Sequence, residues 1–267
     1  MARRTNPETR AEGAHFLTDE AAARLVKLAD VKPGQVVLDI GAGLGAITEP
    51  LAAAVAPGGS VVAVESHPDR AEVLRARAWP GVKVVQGDIL RIRIPDHVDC
   101  AVANPPYRIL PAILRRLLDL DVARLVLVVP EELATRITAE AGSEAYGRLT
   151  VETALRAKAK VLAPLRRRDF DPPPDVQSVV LRLDKKPFAE PRRLGAVLDA
   201  AWERKRATLR HSLAPLAGLL GIPPAAVTDA LATVKAEKGR TAMDLSPYEY
   251  GVLAQAVSAA APEARRR

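Results

Sequence analysis

A chain of 267 residues suits one large domain, or a domain of roughly 180 residues with a small appendage. Its 48% hydrophobic and 27% charged content excludes a disordered polar segment, and 39 Lys and Arg against 32 Asp and Glu point to a polyanionic partner, nucleic acid first. The single cysteine, Cys100, excludes an internal disulfide framework or thiolate cluster, and His15, His67, His97 and His211 lack metal-ligand spacing, so no metal is expected.

The opening "MARRTNPETRAEG" lacks the apolar core of a signal peptide, and no apolar run approaches the ~18 residues of a membrane span; a cytosolic protein with no membrane role is expected. Val- and Ile-rich runs then alternate with helical patterns: "QVVLDI" (35–40), "SVVAVE" (60–65), "VKVVQ" (82–86), "VDCAVAN" (98–104) and "RLVLVVP" (124–130). Between them, "AITEPLAAAVA", "PDRAEVLRARA" and "LPAILRRLLDL" carry apolar residues at helical spacing. This alternation predicts an α/β fold whose parallel strands are buried on both faces. "VETALRAKAKVLAP" (151–164) and "VQSVVLRL" (176–183) follow with no clear helix between them and read as an antiparallel edge pair, which gives about seven strands. Past "DKKPFAEP" (184–191) strand patterns stop, and helical segments are expected around 192–214, 223–234 and 247–259. The expected division is a catalytic domain over 1–186 and a small helical domain over 187–267.

"VVLDIGAGLGAITEPL" joins the first sheet strand to a helix, and Gly41, Gly43 and Gly45 allow a tight turn and close approach of a ligand. The next strand ends in Glu65, where a carboxylate can accept both hydroxyl hydrogens of a ribose. The loop lacks the spacing that seats a pyrophosphate, and Asp39 beside it would repel phosphate and welcome a cation. A ligand with adenosine, an ammonium and no phosphate fits, and S-adenosylmethionine has those parts. Asp88, after the third strand, can accept from the exocyclic amine of its adenine, or cap a helix, or both.

"NPPY" (104–107) closes the fourth strand at the carboxyl edge of the sheet, where such folds bind ligands. An exocyclic base amine is a poor nucleophile because its lone pair is delocalised into the ring. The Asn104 side-chain oxygen and the Pro105 carbonyl can accept its hydrogens and aim the lone pair at a sulfonium methyl group. Tyr107 can stack on the extruded base. In the last third, "AWERKRATLRHSL" (201–213) sets Arg204, Lys205, Arg206 and Arg210 within about two to three helical turns, a candidate phosphate contact or a solvated face.

With these motifs the chain resembles the Rossmann-like class I S-adenosylmethionine methyltransferases and, among them, the ribosomal RNA adenine dimethylases of the KsgA type. The resemblance runs through "AHFLTD" (14–19), "LDIGAGLGAIT", "VANPPY", "GSEAYGRLTV" (142–151), "DFDPPPDVQSVVLRL" (169–183) and "RKRATLRHSL". It implies that His15, Leu17, Gly41, Glu65, Asp88 and Asn104 line the cofactor and reaction site. Phe170, ahead of Pro172-Pro173-Pro174, would give the target base a second stacking face, or else anchor the proline-rich turn in the core. Ala14 replaces the family's usual Gln, Asp39 its Glu and Pro105 its Leu or Ile, and "RILPAIL" its usual polar segment after the Tyr; these departures bear on methyl count and target preference. The resemblance implies N6-dimethylation of adenines in small-subunit ribosomal RNA, at two adjacent nucleotides during subunit assembly, by a monomer. The basic ends 1–10 and 262–267 would add nonspecific RNA contact. An erythromycin-resistance type methylase of large-subunit RNA, a DNA adenine methyltransferase and a non-catalytic RNA-binding assembly factor are the alternatives.

Overall fold

In the computed structural model, which describes residues 15–236 and 238–261, the Val- and Ile-rich runs pair into one sheet of seven strands. Those strands are β2 (Val36–Ile40), β3 (Ser60–Glu65), β4 (Val82–Gln86), β5 (Val98–Ala103), β6 (Val122–Pro130), β7 (Ala157–Leu165) and β9 (Ser178–Lys185), in the order β4-β3-β2-β5-β6-β9-β7. The first five are parallel; β9 runs antiparallel to both β6 and β7. A separate antiparallel pair joins β1 (Phe16–Leu17) to β8 (Phe170–Asp171). The basic ends named above lie outside the described residues.

Strand order reverses between β2 and β5, and that reversal positions the site. Helices depart to opposite sides there, leaving a crevice beyond the strand ends. The register sets Ile40 against both Val64 and Ala103, so Gly41, Glu65 and Asn104 emerge side by side at the carboxyl edge. Helix α1 (Asp19–Ala29) turns Ala21, Ala22, Leu25, Val26 and Ala29 into the core, and the Thr18 hydroxyl accepts from the Ala21 N–H at 3.3 Å at its start. After α2 (Thr48–Val55) and α3 (Pro68–Ala76) comes α4 (Leu110–Asp119), which buries Leu110, Ile113, Leu114, Leu117 and Leu118. The Lys185 ammonium donates to the Leu118 carbonyl at 2.7 Å and to that of Leu120, meeting the unpaired end of α4 with a cation. Cys100 is buried in β5, and burial pushes its thiol up to about 12, an inert core residue at neutral pH.

The chain divides into two compact units, one of residues up to Ala134 with Ala157–Lys186, the other of Thr135–Arg156 with the chain from Pro187 onward. The domain expectation therefore needs correction over 135–156. Helices α5 (Glu131–Ile137) and α6 (Arg148–Arg156) occupy that region, and 151–156, read as strand, is the end of α6. Val151, Thr153 and Leu155 do alternate like a strand. Yet Val151 and Leu155 are also one helical turn apart, and both enter the core of the helical unit.

That unit contains α7 (Leu194–Glu203), α8 (Leu209–Leu213), α9 (Leu216–Leu220), α10 (Pro224–Ala232) and α11 (Pro247–Ala260). The expected helix over 192–214 is broken. After Glu203 the chain turns so that Thr208 can bridge Thr241 and the Leu209 N–H can donate to the Arg240 carbonyl at 2.8 Å. Arg204, Lys205 and Arg206 consequently sit on an exposed turn, with Arg210 exposed on α8. Tyr146, Trp202 and Tyr250 form the aromatic centre, and the two phenols donate to the Leu245 and Ala242 carbonyls at 2.7 Å each.

Candidate active site

At the strand-order reversal lies a cavity of about 270 Å³, within the sheet unit. Its wall includes His15, Leu17, Gly41, Glu65 and Asp88, together with Asn104, Pro105 and Tyr107. Eight of the residues singled out in the sequence thus meet in one place.

Gly41 and Gly43 adopt φ of +71° and +59°, a region that disfavours side chains. A Cβ on Gly41 would meet no atom within 4 Å, so the loop borders open space there; one on Gly43 would lie 3.0 Å from the Phe16 ring. Gly43 does not line the cavity and works from behind it, its N–H donating to Glu65 Oε2 at 2.8 Å. Glu65 Oε1 accepts from the His67 N–H at 2.8 Å. Each carboxylate oxygen has two lone pairs, so each can take one further donor from a ligand. The residue is 4% exposed, and Arg70 lies 4.0 Å from Oε1.

Asn104 donates from Nδ2 to the His15 carbonyl at 2.6 Å, which fixes the amide orientation and makes Oδ1 its acceptor end. Pro105 follows, and among the described residues no backbone hydrogen bond ends on its carbonyl. The Tyr107 hydroxyl is 2.6 Å from Ser178 Oγ, and its ring centroid is 6.2 Å from that of His15 at 36°. Burial raises the Tyr107 phenol above its ordinary value, so it stays neutral. His15 is itself held, its Nδ1 donating to the Pro172 carbonyl at 2.9 Å. Asp88 accepts from the Leu90 N–H at 2.9 Å and keeps a half-exposed carboxylate; it opens a turn and caps no helix.

Two expectations need correction. Asp39 is fully buried, does not line the cavity, and accepts from the Thr48 hydroxyl at 2.6 Å, while its Oδ1 has no partner among the described residues. Burial pushes its carboxyl up to about 7, with the Glu65 charge adding to the effect and the Thr48 bond opposing it. Phe170 is 3% exposed and packed in the sheet unit's core, with β8 pairing it to Leu17, so its ring is a wall anchor and no stacking face.

Sequence reasoning missed Phe16, Arg70 and Ser178. Phe16 packs on Gly43 and carries the Arg70 guanidinium 5.5 Å from its ring centroid; it lay inside the quoted "AHFLTD" segment. Arg70 had a weak signal, a cation in the first turn after Glu65. Ser178 lay inside the quoted segment 169–183, but nothing local pointed to its contact with Tyr107, which spans 71 residues.

The ribosomal RNA adenine dimethylase model matches residues 8–219. A probable ribosomal RNA small subunit methyltransferase A of Methanopyrus kandleri is 37% identical over 75% of this chain and 74% of its own. A ribosomal RNA small subunit methyltransferase A of a Synechococcus species is 34% identical over 92% and 94%. Among solved structures, a dimethyladenosine transferase from Plasmodium falciparum superposes with TM-score 0.78 at 23% identity, covering 90% of this chain and 96% of that one. The 23S rRNA methyltransferase ErmE gives 0.69 at 26% identity, with 91% and 99% covered.

Proposed function

The chain belongs to the ribosomal RNA adenine dimethylase family, and from that premise we propose that it uses S-adenosylmethionine to methylate N6 of adenines in small-subunit ribosomal RNA, adding two methyl groups. When bound, S-adenosylmethionine supplies an electrophilic methyl group. The residues present suit it: the Gly41 backbone borders open space, Glu65 holds two unused lone pairs for the ribose hydroxyls, and Asp88 offers a half-exposed carboxylate to the adenine amine. Gly43 and Asp39 act from behind, by bracing Glu65 and the loop.

The observation that carries the reading is the Asn104 bond to the His15 carbonyl. It spends the amide N–H and leaves Oδ1, beside the Pro105 carbonyl, to accept the hydrogens of a base amine. Two acceptors on those hydrogens draw the nitrogen toward a pyramidal geometry and orient its lone pair, with no strong base required. Tyr107, tethered through its hydroxyl, presents its ring to the base. Arg204, Lys205, Arg206 and Arg210 serve as phosphate contacts in the helical unit, from a turn and a short helix.

The test is labelled-methyl transfer to unmodified small subunits, with large-subunit RNA and duplex DNA in parallel, followed by nucleoside analysis. Dimethyladenosine in the small subunit alone is expected. Label in large-subunit RNA would assign the chain to the resistance type, and cofactor binding with no label anywhere would make it an assembly factor.

A further inference from the structure

The turn between β7 and β8 reads Arg166-Arg167-Arg168-Asp169, a run of three cations that the site described above does not use. Both of its ends are fixed to the cavity wall. On one side Leu165 pairs with Ser178, whose hydroxyl holds Tyr107 at 2.6 Å. On the other, Phe170 pairs with Leu17. Tyr107 and Leu17 both line the cavity.

The turn is also fixed from within. Asp169 is 8% exposed; its Oδ2 accepts from the Arg166 N–H and from Arg24 Nη2, each at 2.7 Å. Its N–H donates to the Arg166 carbonyl at 2.9 Å, and its carbonyl accepts from the Thr18 N–H at 2.9 Å. The acid in the run is therefore consumed in holding the backbone. All three arginine side chains are exposed, and among the described residues none of them enters an ion pair closer than 4.0 Å. Arg168 adds a weaker through-space attraction to Asp169. The other acids nearby in sequence are Asp171 and Asp175, both exposed.

We propose that Arg166, Arg167 and Arg168 form a preformed phosphate-binding ridge that grips the RNA backbone flanking the target nucleotide. The proposal rests on the RNA-methylating reading above. A solvated arginine run on a mobile loop would lose much of its binding energy to ordering. Here the backbone is ordered before RNA arrives, and the guanidinium fork can meet a phosphate with two hydrogen bonds. Its attachment to both walls couples that grip to the place where the base must enter.

The experiment measures binding of a target-containing small-subunit RNA fragment by the full chain across a salt series. It compares the unaltered protein with the triple variants R166A/R167A/R168A and R166K/R167K/R168K, and titrates S-adenosylmethionine calorimetrically into each. The alanine variant should reduce the slope of log K against log salt by about 2 to 3, from 0.7 to 0.9 per lost phosphate contact, with cofactor affinity unchanged. The lysine variant should keep the slope. An alanine variant with the unaltered slope overturns the ridge, and so does loss of cofactor affinity, which would make these arginines part of the cavity wall. Should the triple alanine variant not fold, R167A/R168A carries the same expectation at two-thirds of the size. Methylation of small subunits by the unaltered protein, with no slope change in the variants, defeats the ridge alone; no RNA binding by the unaltered protein defeats the RNA-methylating reading with it.

Discussion

Glu65 in the sheet unit and Glu249 in the helical unit are the same residue type in opposite states of use. Glu65 takes one backbone N–H on each oxygen and holds a second lone pair on each toward a cavity. Glu249 accepts from Arg240 on both oxygens, at 2.6 and 3.1 Å, and Oε2 also accepts from the Ser246 N–H and hydroxyl at 2.8 Å each. Glu65, with two donors and a cavity beside it, marks chemistry; Glu249, with four donors, marks scaffold. The same distinction separates Asn104, whose oxygen is unspent, from the buried phenols of Tyr146 and Tyr250, whose hydroxyls already donate to backbone carbonyls.

The largest expected effect lies at Asn104. Asn104→Ala should lower turnover by about 10² to 10³, as removal of one preorganised polar partner does elsewhere, while S-adenosylmethionine binding measured by calorimetry is retained. Turnover near normal would mean that the unspent oxygen is not part of the chemistry. Glu65→Gln comes next. The amide nitrogen cannot accept from Gly43 or His67, so one loop N–H loses its partner along with one ribose acceptor. Cofactor affinity should fall about 10- to 100-fold, the scale of one charged hydrogen bond at about 1.5 to 3 kcal/mol. Unchanged affinity would reduce Glu65 to a brace for the glycine loop.

Asp39 blurs the comparison, since it is buried beside the site and half-satisfied. Its folded carboxyl titrates near 7 and its unfolded one near 3.8, so the folded state holds the extra proton between those values. Stability from this group therefore declines as pH rises from about 4 to 7 and is level above that. Asp39→Asn cannot ionise, and relative to the unaltered protein it should gain about 4 kcal/mol between pH 4 and pH 8, close to three pKa units at about 1.4 kcal/mol each. Thermal unfolding at both pH values checks this. A constant difference would mean that Asp39 ionises as freely in the fold as in the unfolded chain.

Much of the sheet was legible because its signals are local. Parallel strands buried on both faces must be apolar runs, and Gly41, Glu65 and Asn104 each follow such a run directly, so the sequence placed them at strand ends before any pairing was known. What failed was set by distant partners. Val151–Leu155 alternates as a strand does, and only the helical core decides that it is helix. Arg204–Arg206 satisfies helical spacing, but pairing of Thr208 with Thr241 pulls the chain out of the helix. Phe170 stands beside a proline run suited to a binding loop, and its pairing with Leu17 turns it into the core instead. Asp39 was correctly read as adjacent to the glycine loop; the direction of its side chain toward Thr48 depends on the helix that follows.

The smallest effect tests the closed end of the comparison. The charge-assisted hydrogen bonds from Arg240 hold the Glu249 carboxyl down at about 2, with the Ser246 N–H and hydroxyl helping and burial opposing. Because the folded value lies below the ordinary glutamate value of 4.5, this carboxylate contributes its stability fully above about 4.5 and loses it as pH falls through about 2. Arg240→Ala should cost about 1 kcal/mol at neutral pH, the upper end for a partly exposed pair, because the geometry is bidentate. The deficit should shrink as pH falls from 5 toward 2, since the protonated Glu249 no longer draws on the guanidinium charge. Thermal unfolding across that range reads it, and S-adenosylmethionine affinity at neutral pH should not move. A variant that kept its stability but lost cofactor affinity would contradict the assignment of this network to scaffold, and with it the use of unspent hydrogen-bonding capacity to tell a site from its support.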